Sequence, residues 1–465
     1  MSAGRSETEP RLFNSRIVAM AAKIHTGEPM GDTEFRKEAQ EFLTSLNYDD
    51  ICNGINEDTR STRHQNRSRL LAFAATHLEL FQMHSPFAPE MVFVGALQSE
   101  ISTIGKGRPI SGASFSGAGE NFQSAFERAV GEAIEYFSQF QEDPSETLVG
   151  DLNSCFDGFS TKQRNQMIEW FNSAEDAHPH GLKLTYLREL TTQHEILAPT
   201  ALVFRGAGQS QAQLDSYALS TGCAAGKTLP QAIATGLFEV IERDAAALWW
   251  QGGRTGSRIE FEYLKGLGVI QRLEKMRAGI IRRTTQFIDI STEFEIPVVA
   301  AISYDRNGFG FAAGISCNSN LTTACISALN ELFQMELGLI WLESKCSEFG
   351  AAALDPKEQS KMQRSRQLNC LKEPLFSNTT QNQPNHKEKE PKEDISLPLL
   401  LERLGQFGHQ IIARDLTQAV VGIPAARVMV TGLQPYPSKY VSPRLSDSRQ
   451  FGMRDIPATR GLELY

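Results

Sequence analysis

A chain of 465 residues, 41% hydrophobic and 22% charged, is long enough for a large core, or for two lobes that share one. Its net charge of −9 and pI near 5.6 exclude general nucleic-acid binding, which needs a basic surface, and no Lys/Arg stripe appears. The most apolar stretch, Ala245 to Trp250, is far short of the ~20 residues that span a bilayer, and the polar start MSAGRSETEP lacks a signal-peptide core, so a cytoplasmic protein with no membrane role is expected.

Residues 1–91 read as a polar, largely helical N-terminal extension with an amphipathic helix over Thr33–Leu46. Two long helical patterns follow before residue 260, each entered through a Gly-rich segment: SGASFSGAGE (111–120) and STGCAAGKT (220–228). From about residue 284 the pattern changes to short apolar runs, of which Ile296–Tyr304 suits a buried strand. A third helical pattern covers Thr322–Leu342. Residues 371–395 are polar and Pro-containing, and predict a mobile surface loop. A helix is expected near Leu397–Phe407, with strands near Gln410–Arg414 and Ala426–Val430. Helices and strands intermixed in this way give a mixed α/β class. The seven cysteines include no C-x2-C pair, so neither a structural zinc nor a disulfide framework is expected, and the nine scattered histidines suit ordinary structural roles.

The helix over Leu229–Trp250 is the most informative. It carries no charge between Gln231 and Glu239 and is apolar nearly all round, as buried helices are. At ~100° per residue, Ala232, Thr235, Gly236, Glu239, Glu242, Arg243 and Ala246 share one stripe, which reads as a cavity floor. A solvated edge with ordinary i,i+3 neighbours is the alternative, but like charges on so apolar a helix need a compensating cation. Residues 120–140 repeat the design, with Ala125, Arg128, Ala129, Glu132, Glu135, Tyr136 and Gln139 on one stripe. Residues 321–338 gather Ala324, Ser327, Ala328, Glu331, Gln334 and Gly338. Carboxylates converging from three helices, without His or Cys, select Mg2+, which usually arrives with substrate phosphates. The Gly-containing entries could bring backbone N–H groups to those phosphates, although neither matches the Walker A spacing or the Rossmann fingerprint.

At these residues the chain resembles the YcaO family, and within it the azoline-forming cyclodehydratases of azole-containing ribosomal peptides. The segments that carry the likeness are SGASFSGAGENFQSAFERAVGEAIEYF, STGCAAGKTLPQAIATGLFEVIERDAAALWWQGG, the ALNELFQME helix and RVMVTGLQPYPSKYVSPRL (427–445), within residues 92 to 450. The resemblance implies a YcaO domain over 92–465, with an ATP/Mg2+ site between glutamate-bearing helices and sheet. It implies that Glu132, Glu135, Glu239 and Glu242 hold Mg2+ and that Arg243 faces the phosphates. Glu331 and Gln334 fall at nucleotide-pocket positions and, with Arg243, are the expected catalytic residues. Gly117, Gly119, Lys227, Gln231, Ser327 and Arg427 are further nucleotide contacts on the same ground. The chain departs from the family pattern at several places. Arg128 stands where Ser is common, Tyr136 where Arg is common, Gly117-Ala118-Gly119 where Gly-Lys-Gly is common, and Thr431 where a proline usually precedes Gly-Leu. The segment RDIPATRGLELY lacks the proline-rich terminus of many peptide cyclodehydratases.

The activity so implied is ATP-dependent. A Cys, Ser or Thr of a precursor peptide attacks the preceding carbonyl, the amide oxygen is phosphorylated, and phosphate leaves to give a thiazoline or oxazoline in a bacteriocin-like azole peptide. No protein nucleophile is required, and Cys223 reads as a packing residue. Thioamide or amidine formation by the same amide activation, and a non-catalytic scaffold subunit, are the alternatives. The expected partners are the precursor peptide, a leader-binding protein (no leader-binding domain is recognisable in the chain) and a flavin-dependent azoline dehydrogenase, with a homodimer inside the complex.

Overall fold

The computed structural model describes residues 11–28, 34–48, 57–99, 103–104, 108–109, 113–140, 147–173, 182–205, 220–377, 394–451 and 462–464. Among them, three antiparallel sheets of four or more strands each end in an edge strand that runs straight into a long helix. In the first sheet, Arg11–Leu12, Leu78–Met83 and Val92–Gln98 lead to the edge strand Ser114–Gly119, followed by the helix Phe122–Ser138. In the second, Leu148–Gly150, Leu182–Glu189, Ile411–Asp415 and Ala425–Val430 lead to Cys223–Ala225 and the helix Leu229–Trp250, with Glu195–Pro199 paired on Leu182–Glu189. In the third, Ser257–Arg258, Thr284–Asp289 and Val298–Tyr304 lead to Ala312–Cys317 and the helix Leu321–Phe349. We call these the first, second and third site helices.

The three helices start alike. Asn121, Thr228 and Asn320, all in extended conformation, accept through their side chains from the amides of Ser124 (2.9 Å), Gln231 (3.3 Å) and Thr323 (2.8 Å). Each satisfies one of the amides that a helix start leaves without a partner. Close approach of strand to helix requires glycine at several places, of which two show it plainly. A Cβ at Gly117 would lie 2.1 Å from the Ala125 carbonyl oxygen, and one at Gly314 would lie 2.2 Å from that of Ala328.

The core fills the space between these layers. Val298–Tyr304 is wholly buried, as its unbroken apolar run predicts. Val298, Ala300, Ile302 and Tyr304 pack with Trp249 and Trp250 of the second site helix, whereas Val299 and Ala301 pack with Ala324 and Ala328 of the third. The N-terminal helices Ser15–Thr26, Arg36–Ser45 and Glu57–His77 belong to the first sheet's side, where Val18, Phe42, Leu43 and Phe73 pack with Phe126, Val130 and Ile134 of the first site helix. Leu78–Met83 pairs with Val92–Gln98 over six positions, so the expected division at 91/92 falls between two paired strands.

Two expectations need correction. The segment 371–395 is not a surface loop at its start: Pro374–Ser377 is a helical turn whose Leu375 and Phe376 are buried, with the Phe376 ring stacked on Phe311 at 5.6 Å. Burying two large apolar side chains outweighs the polarity of their neighbours. Residues 378–393, the rest of that expected loop, lie outside the described residues. The third site helix runs to Phe349, beyond the expected Leu342.

Candidate active site

Glu132 follows Asn121, Glu239 follows Thr228 and Glu331 follows Asn320 by the same eleven positions, and three residues later come Glu135, Glu242 and Gln334. Equal spacing from equal caps puts the three earlier side chains at one height and the three later ones at another, all on the same face of their helices. The turns beneath them are small and buried: Ala125 and Ala129, Ala232 and Gly236, Ala324 and Ala328.

The hydrogen bonds form a closed round. The earlier acid of each helix accepts from its own unit: Glu132 from the Ser116 amide (2.8 Å), Glu239 from Gly222 (3.0 Å) and Glu331 from Ile315 (2.8 Å). The later residue reaches the next unit. Glu135 accepts from the Ala225 amide (3.0 Å) and Glu242 from that of Cys317 (3.1 Å), while Gln334 Nε2 donates to Ser116 Oγ (3.2 Å), which returns the round to its start. The structure thus brings together Glu132, Glu135, Glu239, Glu242, Glu331 and Gln334, three units linked head to tail.

Arg243 is the counterion inside this round, with Nη2 3.4 Å from Glu239 Oε1 and Nε 3.9 Å from Glu242 Oε1. One cation against five carboxylates leaves most of the charge uncompensated. Burial pushes the Glu132 carboxyl up to about 7, against the Ser116 amide that favours its ionised form, and Glu331 adds repulsion. Burial pushes Glu135 up to about 8, against the Ala225 amide, with Glu239 and Glu132 raising it further. Glu239, Glu242 and Glu331 are likewise raised by burial, and Arg243 opposes the rise at each. These groups nevertheless keep water contact, with side-chain exposures of 24% for Glu239 and 13% for Glu242. They line a cleft that protein surrounds and solvent enters.

Among the described residues, no three acidic, His or Cys side chains stand ready as a metal cage. The donor set still fits Mg2+ in kind, being hard oxygens only. Glu132 Oε1, Glu135 Oε2 and Glu331 Oε1 have no protein donor among the described residues, so they are available to a cation.

The other sequence-predicted residues take different places. Ser327 sits one turn before Glu331 on the same face, half-buried. Lys227 and Gln231 are exposed at the start of the second site helix, where the Lys227 amide donates to Gln231 Oε1 (3.0 Å). Gly117 and Gly119 lie in a paired strand pressed on the first site helix, so packing accounts for the absence of a side chain at both. Arg427 is fully buried, donating to the Thr221 carbonyl and to Cys223 Sγ (3.6 Å), and it lowers Glu239 from beneath the cleft. Cys223 is buried, as a packing residue would be.

Sequence reasoning missed Ser116, which joins the first and third units through both its amide and its hydroxyl. It also missed Asp244, fully buried beside Arg243. Asp244 accepts from the Gln434 amide (2.8 Å) and pairs with Arg444 (3.0 Å), which ties the segment after Val430 to the second site helix. The signal for the round was present in the shared eleven-residue spacing; nothing local marked Asp244.

Residues 116–434 match the sequence profile of a family described as YcaO cyclodehydratase, ATP- and Mg2+-binding. An uncharacterized protein of Methanothermobacter thermautotrophicus is 25% identical over 350 residues, 69% of this chain and 82% of that protein. A heterocyclase solved in complex with substrate and cofactor is similar in fold, with TM-score 0.64 and 20% identity over 86% of this chain and 56% of the other. The chain therefore spans little more than half the length of that heterocyclase. The structure of YcaO from Methanopyrus kandleri bound with AMPPCP and Mg2+ gives a TM-score of 0.54 and 18% identity, over 86% of this chain and 95% of that one.

Proposed function

The chain belongs to the YcaO family, and from that premise we propose that it is an ATP-dependent peptide cyclodehydratase, which converts Cys, Ser or Thr of a precursor peptide into thiazoline or oxazoline. The observation that carries this reading is the closed round of five raised carboxylates around Arg243, a charge distribution that protons balance in the ligand-free protein and that a bound cation would balance in their place.

Glu132, Glu135, Glu239, Glu242 and Glu331 would hold Mg2+ through their oxygens. Bound Mg2+–ATP supplies the phosphoryl group that turns an amide oxygen into a leaving group. Arg243, already aimed between Glu239 and Glu242, stabilises charge that develops on the phosphates. Gln334 keeps its amide carbonyl for the ligand while its Nε2 is held by Ser116, and Ser327 offers a hydroxyl one turn before Glu331. Lys227 and Gln231 reach the nucleotide from the helix start. Arg427 tunes Glu239 from beneath, a role its burial favours over direct contact. The peptide supplies its own nucleophile, so the protein's work is to position groups and neutralise charge. A leader-binding protein raises the peptide's concentration at the cleft, and a flavin-dependent dehydrogenase oxidises the azoline product. A homodimer within that cytoplasmic complex completes the reading.

The test is mass spectrometry of the precursor with ATP, Mg2+ and the leader-binding protein. Loss of one water per ring is expected, together with phosphate release. Glu242→Gln should lower both by about a hundredfold or more while the protein stays folded. A full-rate Glu242→Gln protein would exclude the carboxylate round from catalysis. Exchange of oxygen for sulfur in the product would move the reaction to thioamide formation, and peptide modification that proceeds without phosphate release would leave this chain a scaffold.

A further inference from the structure

Seven positions after their caps, the second and third site helices carry Thr235 and Ser327, whereas the first carries Arg128. A cation therefore stands where the two equivalent positions have hydroxyls, one turn before Glu132 and on the same face. It is not a counterion of the round. The charges that act on Glu132 and Glu135 are other glutamates, and no carboxylate among the described residues pairs with Arg128. Among the described residues its one hydrogen-bond partner is the Ala118 carbonyl, to which Nη1 donates at 2.8 Å. That bond anchors the side chain at the turn between edge strand and helix and leaves the rest of its donor fork for another group.

The surroundings sharpen the point. The one acid at that turn, Glu120, is already held by Arg272 and by Lys275 (3.0 Å). Glu120 is thus already answered and is not left to pair with Arg128. Arg128 is exposed as a residue, although the protein around its guanidinium lowers its tendency to stay charged. A partly desolvated guanidinium with one neutral partner is suited to accept an anion.

We propose that Arg128 binds an anionic oxygen group of the ligand, namely the terminal phosphates of the nucleotide. This inference rests on the ATP reading above and adds to it a phosphate contact from the first site helix, opposite in charge to the glutamates beside it. A carboxylate of the peptide substrate would offer the same chemistry, and the experiment separates the two.

Titration calorimetry on the full chain, without peptide, would compare Mg2+–ATP with AMP for wild type, Arg128→Ser and Arg128→Lys. Arg128→Ser should weaken ATP by about tenfold to a hundredfold, the loss of a charge-assisted contact, and leave AMP nearly unchanged. Arg128→Lys should recover part of the loss, since it restores a point charge without the fork. Thermal melts should show Arg128→Ser at least as stable as wild type, because a desolvated charge has been removed; a merely structural role would lower the melting temperature and affect ATP and AMP alike. Arg128→Ser that binds ATP as wild type does would overturn the proposal. Unchanged ATP binding with a raised peptide KM would reassign Arg128 to the peptide carboxylate. A wild-type chain that binds no nucleotide would overturn this inference together with the ATP reading, whereas wild-type binding with an indifferent Arg128→Ser would sink this inference alone.

Discussion

Glu331 and Glu336 stand five residues apart on one helix, and their surroundings could hardly differ more. Glu336 has no solvent exposure and is fully answered by protein: Arg277 at 2.6 and 2.7 Å, Arg283 at 3.0 Å and the Ser303 hydroxyl at 2.5 Å. Arg277 is itself stacked over Phe333 at 4.8 Å. Glu331 has a backbone amide, a distant share in Arg243 and other carboxylates for neighbours. The first acid is fully compensated from within the fold and the second only in part. Burial of a carboxylate therefore says little about role; what distinguishes the two regions is where the opposite charge comes from.

The comparison can be broken most directly at Glu336. Replacement by Ala leaves two arginines buried without their partner, and should cost about 3–5 kcal/mol of stability in a denaturant titration. Glu331→Gln should cost no stability in the ligand-free protein, or even stabilise it, while abolishing the effect of Mg2+–ATP on the melting temperature. Equal losses in the two variants would erase the distinction.

A smaller effect should appear with pH. The unfolded chain releases the protons of Glu132 and Glu135 near the ordinary carboxylate value of 4.5, whereas the folded, ligand-free protein holds them until about 7 and about 8. Between those values the folded state binds more protons, so its stability should fall as pH rises from about 4.5 to about 8. Melting curves in chelator should show this slope, and Mg2+ should flatten it by replacing protons. Glu135→Gln should remove part of the slope without metal. A melting temperature that climbs across this window would contradict the raised carboxyls.

The smallest expected change lies at a cap. Thr228→Ala should cost about 1 kcal/mol in chemical denaturation, because the Gln231 amide loses its acceptor. The loss should be alike with and without ligand, unlike any change in the round itself.

The sequence made the helices and their acidic faces legible, because a period of 3.6 residues reports which side chains share a face. It could not report what stands opposite that face. The amides that hold Glu135 and Glu242 come from strands ninety and seventy-five residues away, at Ala225 and Cys317. Arg427, expected at the phosphates, pairs in register with Cys223 across the second sheet, a contact between distant parts of the chain that places its guanidinium beneath the cleft. Glu336 lies off the small-residue stripe of its helix, and its two arginines come from residues 277 and 283, which carry no pattern of their own. The N-terminal segment is largely helical, as its pattern predicts, and only the short strands Arg11–Leu12 and Leu78–Met83 escape a reading by periodicity. Family resemblance supplied the role proposed for the glutamates; the alternation of own-unit and next-unit partners came only with the fold.

That alternation makes the site a property of assembly. Since each helix lends its later side chain to the neighbouring unit, no single unit, nor any pair, contains a whole cleft. On the reading proposed above, a cation at the centre would take donors from all three and so act as a keystone: it would be gripped only when every sheet has docked, and would then resist the departure of each. Occupancy would then be a gauge of complete folding, and a partly assembled chain would have no way to spend ATP.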